Sequence, residues 1–299
     1  LILLHYMKHN LPYILNLPPF TYRGIDFSKM KLFNKLLFIL KGKFTSFLIN
    51  KLDKKAFCIA INFLYKDSQI YYEGGEYKKI ILNDKVVSYP NKRVLRLVNG
   101  YDQTLKKIYE SYCLHKINFK KDDILIDCGA NVGELFLATQ FFKHNLKYIG
   151  FEPDLDTYNC LIQNTSFSEV KLFNKALSDE YSKTNFYIDN EGGNSSLIDF
   201  GTSKTNIVET LPLDSLNIKE RIKLFKVEAE GFEPEVLQGA KNTLSLIDYI
   251  SVDFGFERGL TQDSTIVDVN KILTQNNFYL VNFSEYRLIG LYQNNLIQK

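Results

Sequence analysis

The stretch Ile124–Gly133, Ile-Leu-Ile-Asp-Cys-Gly-Ala-Asn-Val-Gly, constrains the fold of this chain most. It reads as a short buried strand, an acid, a glycine-pinched turn and a helix start. From there strands and helices alternate. Strand Ile124–Asp127 precedes helix Glu134–Phe142, and strand Lys147–Phe151 precedes helix Asp154–Asn164. Strand Val170–Asn174 follows, then a Ser/Asn/Gly-containing region with a strand at Asn185–Ile188. Strand Lys223–Val227 precedes helix Pro234–Leu244, and strand Tyr249–Asp253 precedes helix Thr265–Gln275. The runs Phe278–Phe283 and Arg287–Tyr292 close the chain as a hairpin. Such alternation predicts an α/β fold, a mostly parallel sheet with helices on both faces. The hairpin adds an antiparallel edge.

In such a sheet, ligands bind beyond the carboxyl ends of the strands, near the reversal of strand order. Gly129 and Gly133 let backbone approach a ligand with no Cβ in the way. Asp127 can accept from an ammonium or from neighbouring amides. Glu152 ends the next strand, 25 residues after Asp127. A carboxylate there suits a ribose diol, because it accepts from two hydroxyls at once. The turn is not the dinucleotide fingerprint, since Asn131 stands where a second glycine would admit a pyrophosphate. Asp127 and Glu134 would also repel an anionic group. A cofactor without phosphates fits better, and S-adenosylmethionine offers a ribose, an adenine and an ammonium.

The 299 residues make one large domain or a domain with an appendage. A net charge of +3 is too small to imply nucleic acid. Cys58, Cys113, Cys128 and Cys160 show no metal-ligand spacing, so they are expected reduced, in a cytosolic protein that could also be peripheral at a membrane. No secretory signal or run of ~20 apolar residues is evident. The lack of an initiator Met suggests a processed or incompletely defined start.

The division expected is an N-terminal helical extension, 1–70, and a catalytic domain, 71–299, whose cofactor-binding core is 121–299. Pro12, Pro18 and Pro19 make residues 1–24 irregular. Residues 27–52 read as a helix, with Phe33, Leu36, Leu37, Leu40, Phe44, Phe47 and Leu48 at helical spacing. Residues 29–55 carry eight Lys and one Asp. A basic helix of this kind can lie on an anionic membrane. Packing on the catalytic domain or on a second copy is the favoured alternative. Short strands are expected at 70–72, 79–82, 86–88 and 94–97, with turns at Gly74-Gly75 and Asn83-Asp84, and a helix near 105–113.

Six segments resemble the FkbM family of S-adenosylmethionine-dependent methyltransferases. They are Ile126–Gly133, Phe151-Glu-Pro153, Asn174–Asp179, Gly192–Leu197, Thr210–Leu216 and Lys226-Val-Glu-Ala-Glu-Gly-Phe-Glu233, in the family's order and spacing. The resemblance runs from about Arg93 to the C-terminus. It implies a class I methyltransferase sheet of seven strands and methyl transfer to oxygen, often on a sugar or polyketide hydroxyl. It places Gly129, Asn131 and Gly133 against the methionine part, Asp127 near its ammonium, and Glu152, with Pro153 beside it, on the ribose. It places Ala176 near adenine, and the loop with Asn194, Ser195 and Ser196 beside the acceptor. The family usually reads Lys-x-Asp-x-Glu-Gly, and here Glu228 stands at the Asp position.

Methyl transfer needs an acceptor oxygen aligned behind the methyl group, and alignment alone can remove ~7–11 kcal/mol of barrier. The hydroxyl must also lose its proton. His5, His9, His115 and His144 fall in no strand-end motif. A carboxylate base is therefore expected, with Glu228 and Glu230 the candidates and Lys226 able to pair with either acid. Strand alternation would put both glutamates on one face. Asp253 and Glu257 are candidates for the acceptor side. These acids could instead hold a divalent metal, at Glu228 and Asp253, or form an ion-paired network. Glu233 and Glu235 read as first-turn helix acids. The leading expectation is an O-methyltransferase for a sugar or surface-glycan acceptor. The alternatives are methylation of another metabolite or lipid, or a non-catalytic binding module on the same fold.

Overall fold

The computed structural model describes residues 15–22, 25–81, 85–98, 100–189 and 195–297. The chain forms two compact units, Leu1–Tyr101 and Asp102–Lys299.

In the first unit, a one-turn helix at Pro19–Tyr22 precedes helices α1 (Leu32–Lys51) and α2 (Lys54–Leu64). Strands β1 (Ile70–Glu73), β2 (Glu76–Ile80) and β3 (Val86–Tyr89) form an antiparallel sheet in that order. Gly74 and Gly75 take φ of 63° and 88° at the β1–β2 turn, a conformation glycine adopts without a steric cost. The expected 70/71 boundary falls inside this unit. The reason is local: Asn62 of α2 donates to Ile70 O at 2.7 Å and accepts from Ile70 N at 3.0 Å, tying strand to helix. Phe57, Ile61, Ile70, Val87 and Tyr89 are buried here. The strand expected at 94–97 is instead a 3-10 helix, Lys92–Leu97, because Asn91 accepts from Arg93 N and turns the chain. The expected Asn83-Asp84 turn, and most of the irregular 1–24 segment, lie outside the described residues.

Helix α3 (Tyr101–Ser111) starts on the last residue of the first unit and otherwise belongs to the second. The second unit's main sheet contains β4 (Ile124–Cys128), β5 (Lys147–Phe151), β6 (Val170–Phe173), β10 (Ile222–Val227), β11 (Ile247–Asp253), β14 (Phe278–Phe283) and β15 (Ile289–Asn294). Helices α4 (Glu134–Phe141), α5 (Leu155–Thr165), α6 (Glu233–Gln238) and α7 (Ile266–Gln275) connect them. The spatial order is β14-β15-β11-β10-β4-β5-β6. Only β15 runs against its neighbours. It sits between β11 and β14, so the hairpin enters the sheet with its second strand innermost. The order reverses between β4 and β10, where Asp127 pairs with Lys226 and Cys128 with Val227. Beneath lie Ile126, Phe225, Val227, Ile250 and Val252, all buried.

A second sheet, order β7-β9-β8, holds β7 (Ala176–Leu177), β8 (Ser182–Tyr187) and β9 (Thr205–Leu211). A two-stranded hairpin follows β11, from β12 (Phe256–Arg258) and β13 (Asp263–Ser264). Helix α6 stops short of the expected Leu244. Gly239 meets Ser178 O, which a Cβ would approach to 1.8 Å, and Asp214 accepts from Asn242 N and Thr243 N, drawing the chain into a turn.

The four cysteines are unpaired and buried, and among the described residues no helix is long and apolar enough to cross a membrane.

Candidate active site

The glycine turn is built by backbone hydrogen bonds across the strand ends. Gly129 N and Ala130 N both donate to Phe151 O, at 3.1 and 2.9 Å. Gly129 has φ +75°, and a Cβ there would lie 2.2 Å from Glu228 O. Only glycine lets the ends of β4 and β10 come this close. Asn131, at φ +49°, donates its N–H to Glu152 Oε2 at 2.9 Å. Gly133, at φ +89°, leads into α4.

Glu152 is buried at the end of β5, and its Oε1 accepts from Asp154 N at 2.9 Å. Burial pushes its carboxyl up to about 7, against those two N–H donors, which favour the ionised form. Each oxygen still has a lone pair for a ligand hydroxyl. Asn174 donates to Glu152 O and Pro153 O, setting the strand end. Ala176 is buried in β7, two residues on.

Asp127 has two partners within the protein. Its Oδ2 accepts from Tyr148 OH at 2.5 Å, and its Oδ1 makes an ion pair with Lys226 Nζ at 2.9 Å that is not an aligned hydrogen bond. Burial raises its carboxyl, and Lys226 and Tyr148 oppose that rise. Both oxygens are engaged within the protein, so Asp127 anchors the turn. Lys226 also donates to Cys128 O and Gly129 O, at 2.9 and 2.8 Å, and lies 3.1 Å from Glu228 Oε2. Burial works to lower its ammonium, but Asp127 and Glu228 hold it well above its ordinary value. It is a fixed cation between two strand ends.

Glu228 is the hub of the network. Tyr112 OH donates to its Oε2, and Arg287 Nη2 donates to its Oε1. Arg287 Nη2 lies 2.5 Å from Asp253 Oδ2 as well, and its Nη1 reaches Tyr112 OH at 3.1 Å. Burial favours neutral Glu228, yet Arg287, Lys226 and Tyr112 hold its carboxyl far below the usual range. A carboxylate so stabilised is a poor proton acceptor. The guanidinium also lies between Glu228 and Asp253, the pair named above as the alternative metal ligands. Among the described residues no group of three His, Cys, Asp or Glu side chains is arranged to hold a metal. Arg287 and Tyr112 carry no motif; one lies in the bend of the last hairpin, the other just beyond α3.

Glu230 does not share a face with Glu228, because β10 ends at Val227 and Glu230 takes φ +50°. Its Oε2 is buried with no hydrogen-bond partner among the described residues. Burial, then the charge of Glu228 and the nearby Glu257 carboxyl, hold it well above the ordinary range. Asp253, at the end of β11, is pushed up to about 7 by burial, against Arg287. Its Oδ1 accepts from Gly255 N at 3.0 Å.

The loop carrying Glu230 is clamped. Glu233 Oε1 accepts from Ala229 N and Gly231 N, at 2.9 and 3.1 Å, and its Oε2 accepts from Thr265 OH at 3.0 Å. Arg258 makes a two-pronged pair with Glu235, at 2.6 and 3.0 Å, and donates to Gly231 O. Glu233 and Glu235 thus hold the loop, beyond serving as first-turn acids. Ser196 OH donates to Glu230 O at 2.8 Å, and Ser195 Oγ accepts from Asp189 N. Asn194 lies outside the described residues. His144 packs beside Tyr109 and Phe119, with Tyr109 OH 2.7 Å from its Nε2. Burial lowers its basicity, opposite to what a helix C-terminus favours.

A doubly wound sheet with a reversed penultimate position, a glycine turn at its switch point and an acid ending the next strand defines a class I methyltransferase. The Methyltransferase FkbM domain matches residues 127–280, just over half of the chain, and the protein belongs to this family of S-adenosylmethionine-dependent methyltransferases. No curated protein matches the sequence. Similar solved structures include a SAM-dependent methyltransferase from Aquifex aeolicus, 11% identical over 64% of this chain and 96% of that one, TM-score 0.38. A precorrin-6y C5,15-methyltransferase from Geobacter metallireducens is 10% identical over 60% and 86%, TM-score 0.37. TrmK of M. capricolum, in complex with S-adenosylhomocysteine, is 9% identical over 59% and 64%, TM-score 0.36.

Proposed function

We propose that the protein transfers a methyl group to a hydroxyl of a sugar or glycan acceptor. S-adenosylmethionine supplies an electrophilic methyl on a sulfonium. Glu152 would hold the ribose diol with the lone pairs left after Asn131 and Asp154 are satisfied. Gly129, Asn131 and Gly133 would lie against the methionine part, and Ala176 near adenine. The turn fits because its backbone approaches the strand ends where a Cβ is excluded.

The observation that carries the oxygen-acceptor reading is Glu230. It is the acid of the Lys226–Gly231 segment that no cation locks, and its carboxyl prefers to hold a proton. In its ionised form such a strongly basic group can take the acceptor's proton as the C–O bond forms and the S–C bond breaks, releasing S-adenosylhomocysteine. Glu228 and Lys226 would position the loop, and Arg287 would keep Glu228 ionised and out of proton transfer. Asp253, Glu257, Ser195 and Ser196 would border the acceptor, where acids and hydroxyls can bind the hydroxyls of a sugar.

The test is incubation with S-adenosylmethionine and separate panels of nucleotide sugars, glycolipids, amines and thiols, with products read by mass spectrometry. Methylated sugar oxygens are expected. Methylation confined to nitrogen, sulfur or carbon acceptors overturns the oxygen assignment.

A further inference from the structure

We infer that the first unit docks on an anionic lipid bilayer through the outward faces of α1 and α2. Helix α1 is apolar on two sides. Gly42, Thr45 and Leu48 face the interior, with Gly42 against Leu17. The adjoining side carries Phe33, Leu37, Leu40, Phe44 and Phe47, at spacings of four and three residues, each about half exposed or more. Helix α2 adds Ile59 and Phe63, the latter 86% exposed. Between the helices lies an open groove of about 500 Å³, lined only by apolar side chains that include Phe44, Ile59 and Phe63. Single exposed apolar residues are ordinary; a contiguous face of phenylalanines and leucines marks a binding surface.

Charge decides between occupants. The seam spacing also suits a second copy of the helix. However, α1 carries Lys35, Lys41, Lys43 and Lys51 and no acid. Self-pairing would bring lysines against lysines along the seam. Lys31 at one end of α1, and Lys51, Lys54 and Lys55 where α1 meets α2, are exposed and bracket the apolar face. Basic ends around an exposed apolar strip match the acyl boundary and headgroups of an anionic leaflet. Twenty residues span about 30 Å. The helix would lie in the plane of the interface, since it is not apolar enough to cross.

The experiment is flotation of the full-length protein with phosphatidylcholine vesicles, with and without phosphatidylserine. Flotation is expected only with phosphatidylserine and should weaken with salt. Lys51→Gln with Lys55→Gln should weaken binding roughly thirtyfold. Leu40→Glu with Phe47→Glu should abolish it while the helical circular dichroism and the urea transition that S-adenosylhomocysteine does not shift stay unchanged, showing that the first unit remains folded. Failure to float, equal flotation on both vesicles, or unchanged binding by the variants overturns the proposal. So does a dimer in sedimentation equilibrium that Phe47→Glu converts to monomer, which assigns the face to a second copy.

Discussion

Replacing Arg287 with Met should destabilise the second unit, and more at alkaline than at acidic pH. Arg287 Nη2 lies 2.5 Å from carboxylate oxygens of both Glu228 and Asp253, whose side chains are 16% and 3% exposed. Removing one partner of a buried ion pair costs about 3–5 kcal/mol. The arginine side chain is itself 35% exposed, so water screens part of this, and about 2–3 kcal/mol is expected at neutral pH. The sign follows from proton linkage. In the wild type Asp253 is already raised to about 7, so its contribution to stability is full below the unfolded value and lost as pH rises through 7. Without Arg287 its carboxyl rises further. Glu228, now held low, loses its main cation and rises too. Both take up protons at low pH and relieve the variant, so the loss near pH 8 should exceed that near pH 5 by roughly 1 kcal/mol or more. The assay is urea unfolding followed by tyrosine fluorescence. The transition that S-adenosylhomocysteine shifts is assigned to the second unit. Equal destabilisation at both pH values, or none, refutes the network as described.

Glu152→Gln should weaken S-adenosylhomocysteine binding about 100-fold or more, since two charge-assisted bonds of about 1.5–3 kcal/mol each are at stake. Stability should change little, because relief from ionising a carboxyl raised to about 7 offsets one unpaired N–H; calorimetry and thermal unfolding read the two effects separately. Gly129→Ala should cost about 1–2 kcal/mol for the left-handed backbone alone. The 2.2 Å approach to Glu228 O adds to it, so the second unit's urea midpoint should fall and cofactor affinity with it; a wild-type midpoint counts against the turn geometry. Glu230→Gln should lower turnover about 100-fold with cofactor affinity unchanged, and steady-state kinetics with retained turnover would remove it as the base.

The parallel sheet was legible because β4, β5, β10 and β11 are short, largely buried apolar runs, each with a helical pattern further along the chain before the next strand of the main sheet or its hairpin. Strand β9 was missed because its first three residues, Thr205, Asn206 and Ile207, are exposed. It is a strand by pairing with β8, not by burial on alternate positions. The turn and Glu152 were legible as a ligand site because glycines and a strand-ending acid are local signals. The role of Glu228 was not. Its ionisation is set by Tyr112 and Arg287, 116 and 59 residues away, and no local pattern reports such partners. The same holds for Glu233: its position predicts a helix acid, and only the folded loop shows it accepting from Ala229 and Gly231.

The central claim is that the turn Asp127–Gly133 and Glu152 form a site for S-adenosylmethionine and not for a dinucleotide. Titration calorimetry of the full chain with S-adenosylhomocysteine and, separately, with NAD tests it most directly. One site per chain for S-adenosylhomocysteine, lost in Glu152→Gln, and no heat with NAD is the expected result. Binding of NAD at that site, or no binding of S-adenosylmethionine or its demethylated product, would contradict the account.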